Sequence, residues 1–274
     1  MGVTMDDKHL GFGAFPSPKD VRDYKLKPFK QKEMPTSYFV VGKAVIKNQG
    51  KQPTCVAHAL SEIIEYFYQK ENGQYERFST DFIYGLRNNS AYKKGQEGMY
   101  LREGLSIIKE YGDVFYDELT SNSNTAINAK AHITMRETEL KEKAYPYRIT
   151  SYYKINSIEE LQYSLTHHGP VAGSMKWYEG SKLSKYTYKF NPNNKFSGHA
   201  VLIIGWINDY FIIQNSWGKY WGRSGLFLIH KNDIPTVFFE LYGVTDDIQS
   251  IKRPSKPIKK IAPFINFWLN RKNK

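Results

Sequence analysis

The sequence predicts an α+β fold, with a helical first half and an antiparallel second half, from three observations. Apolar residues recur at helical spacing between positions 54 and 112, short β-rich runs follow from position 171, and Gly, Asn and Asp separate those runs. With 41% apolar and 15% aromatic residues in 274, a sizeable core is within reach, which excludes disorder throughout or a collagen-like repeat. The apolar stretch around Ala200 to Trp206 falls far short of the roughly 18 residues of a membrane helix, so a soluble protein is expected.

Residues 1 to 34 are rich in Pro, Gly and Lys and read as an extended arm lying on a surface. Thr54 is a candidate N-cap for a long helix marked by Val56, Leu60, Ile63 and Phe67, stopping near Asn72 and Gly73 and carrying Cys55 in its first turn. Leu101, Leu105, Ile108 and Tyr111 mark a second helix that ends at Gly112. The Ser-, Thr- and Asn-rich stretch 119–130 reads as a loop. Ser157 and Glu160 fit a capping box opening a short helix that ends near Gly169 and Pro170. Strands are expected at Val171 to Met175, His199 to Trp206, Tyr210 to Asn215 and Leu226 to His230, with a polar turn at Asn208 and Asp209.

The net charge of +12 is concentrated at one end. Residues 251–274 hold Lys252, Arg253, Lys256, Lys259, Lys260, Arg271, Lys272 and Lys274 with no acid, so the body carries little net charge. This tail, 249–274 with its flank, reads either as a solvated extension whose Phe264, Phe267, Trp268 and Leu269 dock on the domain, or as a contact for an anionic partner such as nucleic acid or an anionic membrane. A single cysteine, Cys55, allows no intramolecular disulfide and is either a structural or a reactive thiol. Met1 to Asp20 shows no basic start followed by an apolar block, so no secretory signal is read; a cytoplasmic or virion-associated monomer is expected.

A thiol in the first turn of a helix feels the positive end of the helix dipole, which favours its thiolate. Among seven histidines, His199 begins one strand while Asn215 ends the next, and the two are symmetric about Ile207. In a simple hairpin they would face each other, with the amide orienting the imidazole. His58 reads as a packing or surface residue, His167 and His168 as ordinary helix-end residues rather than metal ligands, and Trp221 as a core aromatic.

Gln49-Gly50 before Cys55, then Gly198-His199-Ala200-Val201 and Asn215-Ser216-Trp217-Gly218 followed by Trp221-Gly222, together resemble the papain-like cysteine peptidases, in the same order over residues 35–248. The resemblance implies a two-lobe fold: a helical lobe at about 45–150, an antiparallel β-barrel-like lobe at about 151–248, and an active-site cleft between them. It implies Cys55 as nucleophile, His199 as its imidazolium partner, Asn215 as the group orienting His199, Trp217 as the shield of that bond, and Gln49 as an oxyanion donor. The implied reaction is hydrolysis of a polypeptide substrate through a thioester, with no metal and no organic cofactor. Substrate-binding positions implied by the same resemblance are Gly98 and Met99 at the cleft wall, Ser174 and Gly198 near the specificity pocket, and Trp217.

The chain also departs from the family pattern. Gln52 stands where the family has a structural cysteine, Val56 follows the nucleophile in place of tryptophan, and Glu97-Gly98-Met99 replaces the usual Gly-Gly. Phe15 to Tyr24 resembles the short leader of bacterial and viral members and either packs as an arm or covers the cleft. Two other functions stay open on these grounds: a catalytically weak relative acting as a binding module, and a cell-wall or isopeptide amide hydrolase.

Overall fold

The computed structural model describes residues 11–20, 34–40, 42, 45–87, 97–120 and 126–246. The basic tail, with the anionic contact expected of it, lies outside the described residues, as does Val21 to Tyr24 of the leader-like segment. In chain order the first half holds β1 (Ala14–Phe15), β2 (Ser37–Phe39), α1 (Cys55–Asn72), α2 (Thr80–Gly85), β3 (Met99–Tyr100), α3 (Leu101–Glu110), α4 (Ala126–Thr134) and α5 (Glu137–Ala144). The second half holds β4 (Ser151–Lys154), α6 (Ile158–His167), β5 (Val171–Tyr178), β6 (Lys182–Ser184), β7 (Thr187–Lys189), β8 (Phe196–Ile207), β9 (Tyr210–Gln214), β10 (Leu226–His230), α7 (Ile234–Val237) and β11 (Phe238–Thr245).

Helix α1 runs between the expected ends and closes on Gly73, whose φ of 69° supplies the left-handed cap that a Cβ would strain. Its N-terminus differs from expectation. Thr54 flanks the helix, but its hydroxyl makes no cap bond, because its backbone (φ −105°, ψ 17°) departs from the extended conformation typical of an N-cap. No acidic side chain lies in the first turn either, so the positive helix end is left for Cys55.

Helix α3 spans the predicted stripe, with Leu101, Leu105 and Ile108 buried. At α6, Ser157 Oγ accepts from Glu160 N at 3.1 Å, while the Glu160 carboxylate takes the N–H of Asn156 at 2.6 Å, one residue earlier than a regular capping box. The loop expected at 119–130 is shorter than its composition suggests: α4 begins at Ala126. Ala126, Ala129, Lys130 and Ala131 favour helix there, and tertiary contact supports it, since Ala129 and Ile133 are buried and a Cβ on Gly85 of α2 would come within 3.0 Å of the Ala129 backbone.

Eight strands follow the order β4-β11-β5-β8-β9-β10-β7-β6, with β2 added on β8, and every pairing is antiparallel except β7 with β10. The ends of this sheet are distinct, so the β lobe is open rather than closed into a barrel among the described residues. Strand β8 reads as a continuous apolar run because both its faces are covered. Ala200, Leu202 and Ile204 join the core that holds α1, while Val201 and Ile203 join a second core with Trp177, Ile213 and Phe227.

The β8–β9 hairpin corrects one expectation. Ile207 pairs with Tyr210 across the two-residue turn, and a bulge between Ile203 and Gly205 shifts the register so that Leu202 faces Gln214. His199 and Asn215 are therefore not directly opposed; extending that register by one step brings Asn215 opposite Val201. Their side chains meet along a diagonal instead. Among the described residues no helix is long and apolar enough to cross a membrane.

Candidate active site

Helix α1 and strand β8 bring the first two chemical groups together. Cys55 begins the helix and is fully buried, and its thiol lies beside the N–H of Ala200, the residue after His199. Burial pushes the Cys55 thiol up to about 11, against the pull of the Ala200, Val56, Gly13 and Cys55 N–H groups. His199 Nε2 lies 2.7 Å from Asn215 Oδ1. An amide oxygen only accepts, so Nε2 carries the proton and Nδ1 the lone pair. That Nδ1 is buried with no hydrogen-bond partner. Burial lowers the His199 imidazole to about 4, with the Asn215 bond opposing.

Aromatic rings enclose this pair. Trp217 stacks on His199 at 4.3 Å and 22°, and Phe12 and Trp177 meet the imidazole edge-on at 5.8 and 6.3 Å. Trp221 packs behind Trp217 at 5.1 Å and serves the core. Asn215 is fixed in turn, since its N–H reaches Gly225 O at 3.0 Å and its Oδ1 also accepts from Ser216 N at 2.8 Å.

Gln49 lies on the strip 47–50, which is laced to residues 216–218: Gln49 N donates to Ser216 O at 2.8 Å and Gly218 N to Lys47 O at 2.9 Å. Ser216 Oγ donates to Gln49 Oε1 at 2.5 Å, which aims the Nε2 hydrogens away, toward Gln52 O at 2.7 Å and Gly11 O at 3.1 Å. Beneath the strip, Lys47 reaches across to Glu65 on α1 at 2.7 Å, both fully enclosed. His58 is buried on α1, its Nδ1 3.0 Å from Thr54 O, and burial lowers it to about 3. His167 stacks on Tyr163 at 4.1 Å at the end of α6.

The cleft between the lobes is filled by residues 11–18 of the arm, which the sequence suggested would lie on a surface. Gly11 N donates to Gly50 O, Gly13 N to Gly198 O (both 3.1 Å) and Met99 N to Gly13 O (2.8 Å), and β1 pairs in parallel with β3. Glycine is required for this close approach: a Cβ on Gly13 would overlap Pro53 O, and one on Gly198 would overlap Ala14 O. Further along, Ser17 Oγ donates to Glu240 Oε1 at 3.1 Å and accepts from Arg102 N at 3.2 Å. Burial raises the Glu240 carboxyl, and Ser174 lies opposite it across β5 and β11.

Eight of the nine site residues expected from sequence meet the arm or one another here, while Ser174 is brought no closer than its strand neighbour Glu240. Met99 and Gly198 bond the arm, Gly98 packs against it, Trp217 meets Phe12 edge-on at 5.7 Å, and Ser174 lies behind Glu240. Four residues of this arrangement, Phe12, Lys47, Ser216 and Glu240, are not singled out by the sequence. Ser216 lies inside the quoted Asn-Ser-Trp-Gly run and was within reach; the others act through long-range contacts with no local signature.

The model of the family described as papain family cysteine protease matches residues 40–246. A cathepsin B-like cysteine proteinase of Caenorhabditis elegans is 37% identical over 99 residues, 33% of this chain and 26% of that protein. A cysteine protease of Blomia tropicalis is 26% identical over 198 residues, 66% of this chain and 55% of that protein. The alignments thus span between about a quarter and about half the length of these relatives. Among solved structures, xylellain, a cysteine protease from Xylella fastidiosa, superposes with a TM-score of 0.75 at 21% identity, covering 89% of this chain and 99% of that one. Procathepsin B of Trypanosoma congolense follows with a TM-score of 0.64 at 17% identity, covering 88% and 87%. With Gln49, Cys55, His199 and Asn215 all inside the matched region and joined at one cleft, the chain belongs to the papain family of cysteine proteases.

Proposed function

We propose that the protein is a cysteine endopeptidase that cuts peptide bonds through a thioester on Cys55, and that residues 11–18 hold its cleft shut. The observation that carries the reading is the His199–Asn215 bond under Trp217, which leaves Nδ1 as the unprotonated nitrogen of a ring whose chain neighbour Ala200 turns its N–H to the thiol at the start of α1.

With the arm displaced, water reaches the cleft and the desolvation that keeps Cys55 and His199 neutral is relieved. His199 Nδ1 then takes the thiol proton, and the helix terminus stabilises the thiolate. The thiolate attacks the carbonyl carbon of a bound peptide; the carbonyl π pair moves onto oxygen, which receives the Cys55 N–H and the Gln49 Nε2 hydrogen. In the closed state the arm places the Gly11 carbonyl oxygen on that same Gln49 donor. Collapse of the tetrahedral intermediate expels the amine, which leaves with the proton from His199, and a thioester remains. His199 next removes a proton from water, hydroxide attacks the thioester, and the carboxylic product departs with the thiolate restored. Asn215 keeps the ring in one tautomer throughout, and Trp217 excludes water from that bond.

Residues 11–18 overlap the leader-like segment, and their bonds along the cleft support a closed, latent state. The test is labelling by an epoxide inhibitor of thiol peptidases, read by intact mass on the full chain carrying Gly13→Val. Stoichiometric labelling is expected, lost in Cys55→Ala and slowed at least a hundredfold, in order of magnitude, in His199→Ala. A folded protein that takes no label would oppose the reading and favour a binding role for the cleft.

A further inference from the structure

The wall of the cleft opposite β8 is the two-residue strand β3, whose sheet partner is β1 of the arm. A strand this short does not hold its own position. With one cysteine in the chain, no disulfide ties it down.

Two side chains at the end of α2 do so instead. The Tyr84 hydroxyl accepts from Gly98 N at 3.0 Å and donates to Glu97 Oε2 at 2.7 Å. The Arg87 guanidinium donates to that same carboxylate oxygen at 3.0 Å, to Tyr84 Oη at 3.3 Å, and to the Gly98 carbonyl. Both residues are buried, and the guanidinium also lies 4.7 Å from the Tyr84 ring centre. Both main-chain polar groups of Gly98 are thus engaged inward, with Gly98 at φ 112°, a conformation glycine allows. The next donor along, Met99 N–H, is left facing the cleft, where it meets Gly13 O at 2.8 Å.

We propose that Tyr84 and Arg87 are substrate-positioning residues: they lock Glu97-Gly98 so that Met99 N–H forms the edge on which an extended peptide pairs. The inference rests on the peptidase reading. The arm uses this edge in the closed state, so arm and substrate compete for it, and the clamp serves both. It acts on binding along the wall and does not touch the chemistry at Cys55.

The experiment uses Tyr84→Phe and Arg87→Met, each made twice. In the otherwise unaltered full chain, hydrogen exchange at residues 98–100 and alkylation of Cys55 should each accelerate about tenfold as the arm loses its edge, one hydrogen bond's worth. This readout does not depend on catalysis. In the Gly13→Val background, KM for a peptide long enough to lie along β3 should rise about tenfold with kcat within about twofold, while a single-residue ester is unaffected. Arg87→Lys, which keeps the charge near Glu97, should recover part of the KM. Equal losses for ester and peptide, a fall in kcat matching the rise in KM, or unchanged exchange in both variants would each overturn the proposal. Absent epoxide labelling with normal acceleration of exchange would instead sink the peptidase reading and leave the clamp standing.

Discussion

Gly13→Val alters the arm and leaves every residue of the catalytic domain in place. Any Cβ at position 13 would overlap Pro53 O, so the segment has to move by about an ångström or more. Such a shift breaks the bonds from Gly13 N to Gly198 O and from Met99 N to Gly13 O. At about 1 kcal/mol net each, their loss weakens docking by about 2 kcal/mol, and slippage of the Phe12 contacts with His199 and Trp217 raises this to about 3 kcal/mol. The open fraction should then rise by about 30- to 150-fold. Because Cys55 is fully buried in the closed state, its alkylation at neutral pH reports that fraction. Iodoacetamide labelling followed by intact mass should be faster by that factor, with the melting temperature lowered by no more than the lost docking energy accounts for. Labelling of Gly13→Val at the wild-type rate would refute the idea that the arm keeps the thiol covered.

Three further outcomes follow from the same contacts. In Cys55→Ala, where His199 has no thiol proton to take, the closed state holds His199 at about 4 against an ordinary value of 6.5, so it binds fewer protons than the open state as pH falls through that window, and docking weakens there by at most about 3 kcal/mol. Exchange protection of residues 11–18 in that variant, corrected for intrinsic rate, should therefore fall as pH drops from 7 to 4, and a flat profile would contradict the assignment. Lys47→Met strands the enclosed Glu65 carboxylate, which also accepts from Phe78 N at 2.9 Å and Tyr75 OH at 3.0 Å. Denaturant melts should show about 3–5 kcal/mol lost, partly restored in Lys47→Met/Glu65→Gln; a loss under about 1 kcal/mol would count against a structural ion pair. Ser216→Ala frees the Gln49 amide to rotate and should lower kcat about tenfold with little change in KM, measured in the Gly13→Val background.

The parts of this molecule that were legible in sequence are those written in local patterns. The α1 stripe, its Gly73 stop and the four main strands follow from periodicity and turn residues. Cys55, His199, Asn215 and Gln49 were legible because each sits in a short run with its neighbours. The hairpin register was not, since the bulge at Ile203 to Gly205 has no signature that fixes where an extra residue enters. The start of helix α4 was hidden by the Ser-, Thr- and Asn-rich run just before it, although its own alanines favour helix. The clamp of Tyr84 and Arg87 on Gly98, and the reach of Lys47 to Glu65, join residues far enough apart that no spacing rule connects them. Ser17 meets Glu240 across most of the chain. The arm's path through the cleft depends on Gly11 and Gly13 as places of close approach, and nothing local sets these two apart from the other glycines of the chain.

The peptidase reading requires a thioester on Cys55. The full chain carrying Gly13→Val, mixed with an activated ester of a short peptide and quenched in acid within milliseconds, should carry one acyl group on the Cys55 peptide by mass spectrometry. That adduct should form and decay at rates that account for steady-state turnover, accumulate when His199 is replaced by Gln only at a much slower rate, and be absent in Cys55→Ala. Turnover of the ester with no adduct on Cys55, or undiminished turnover in Cys55→Ala, would contradict the account.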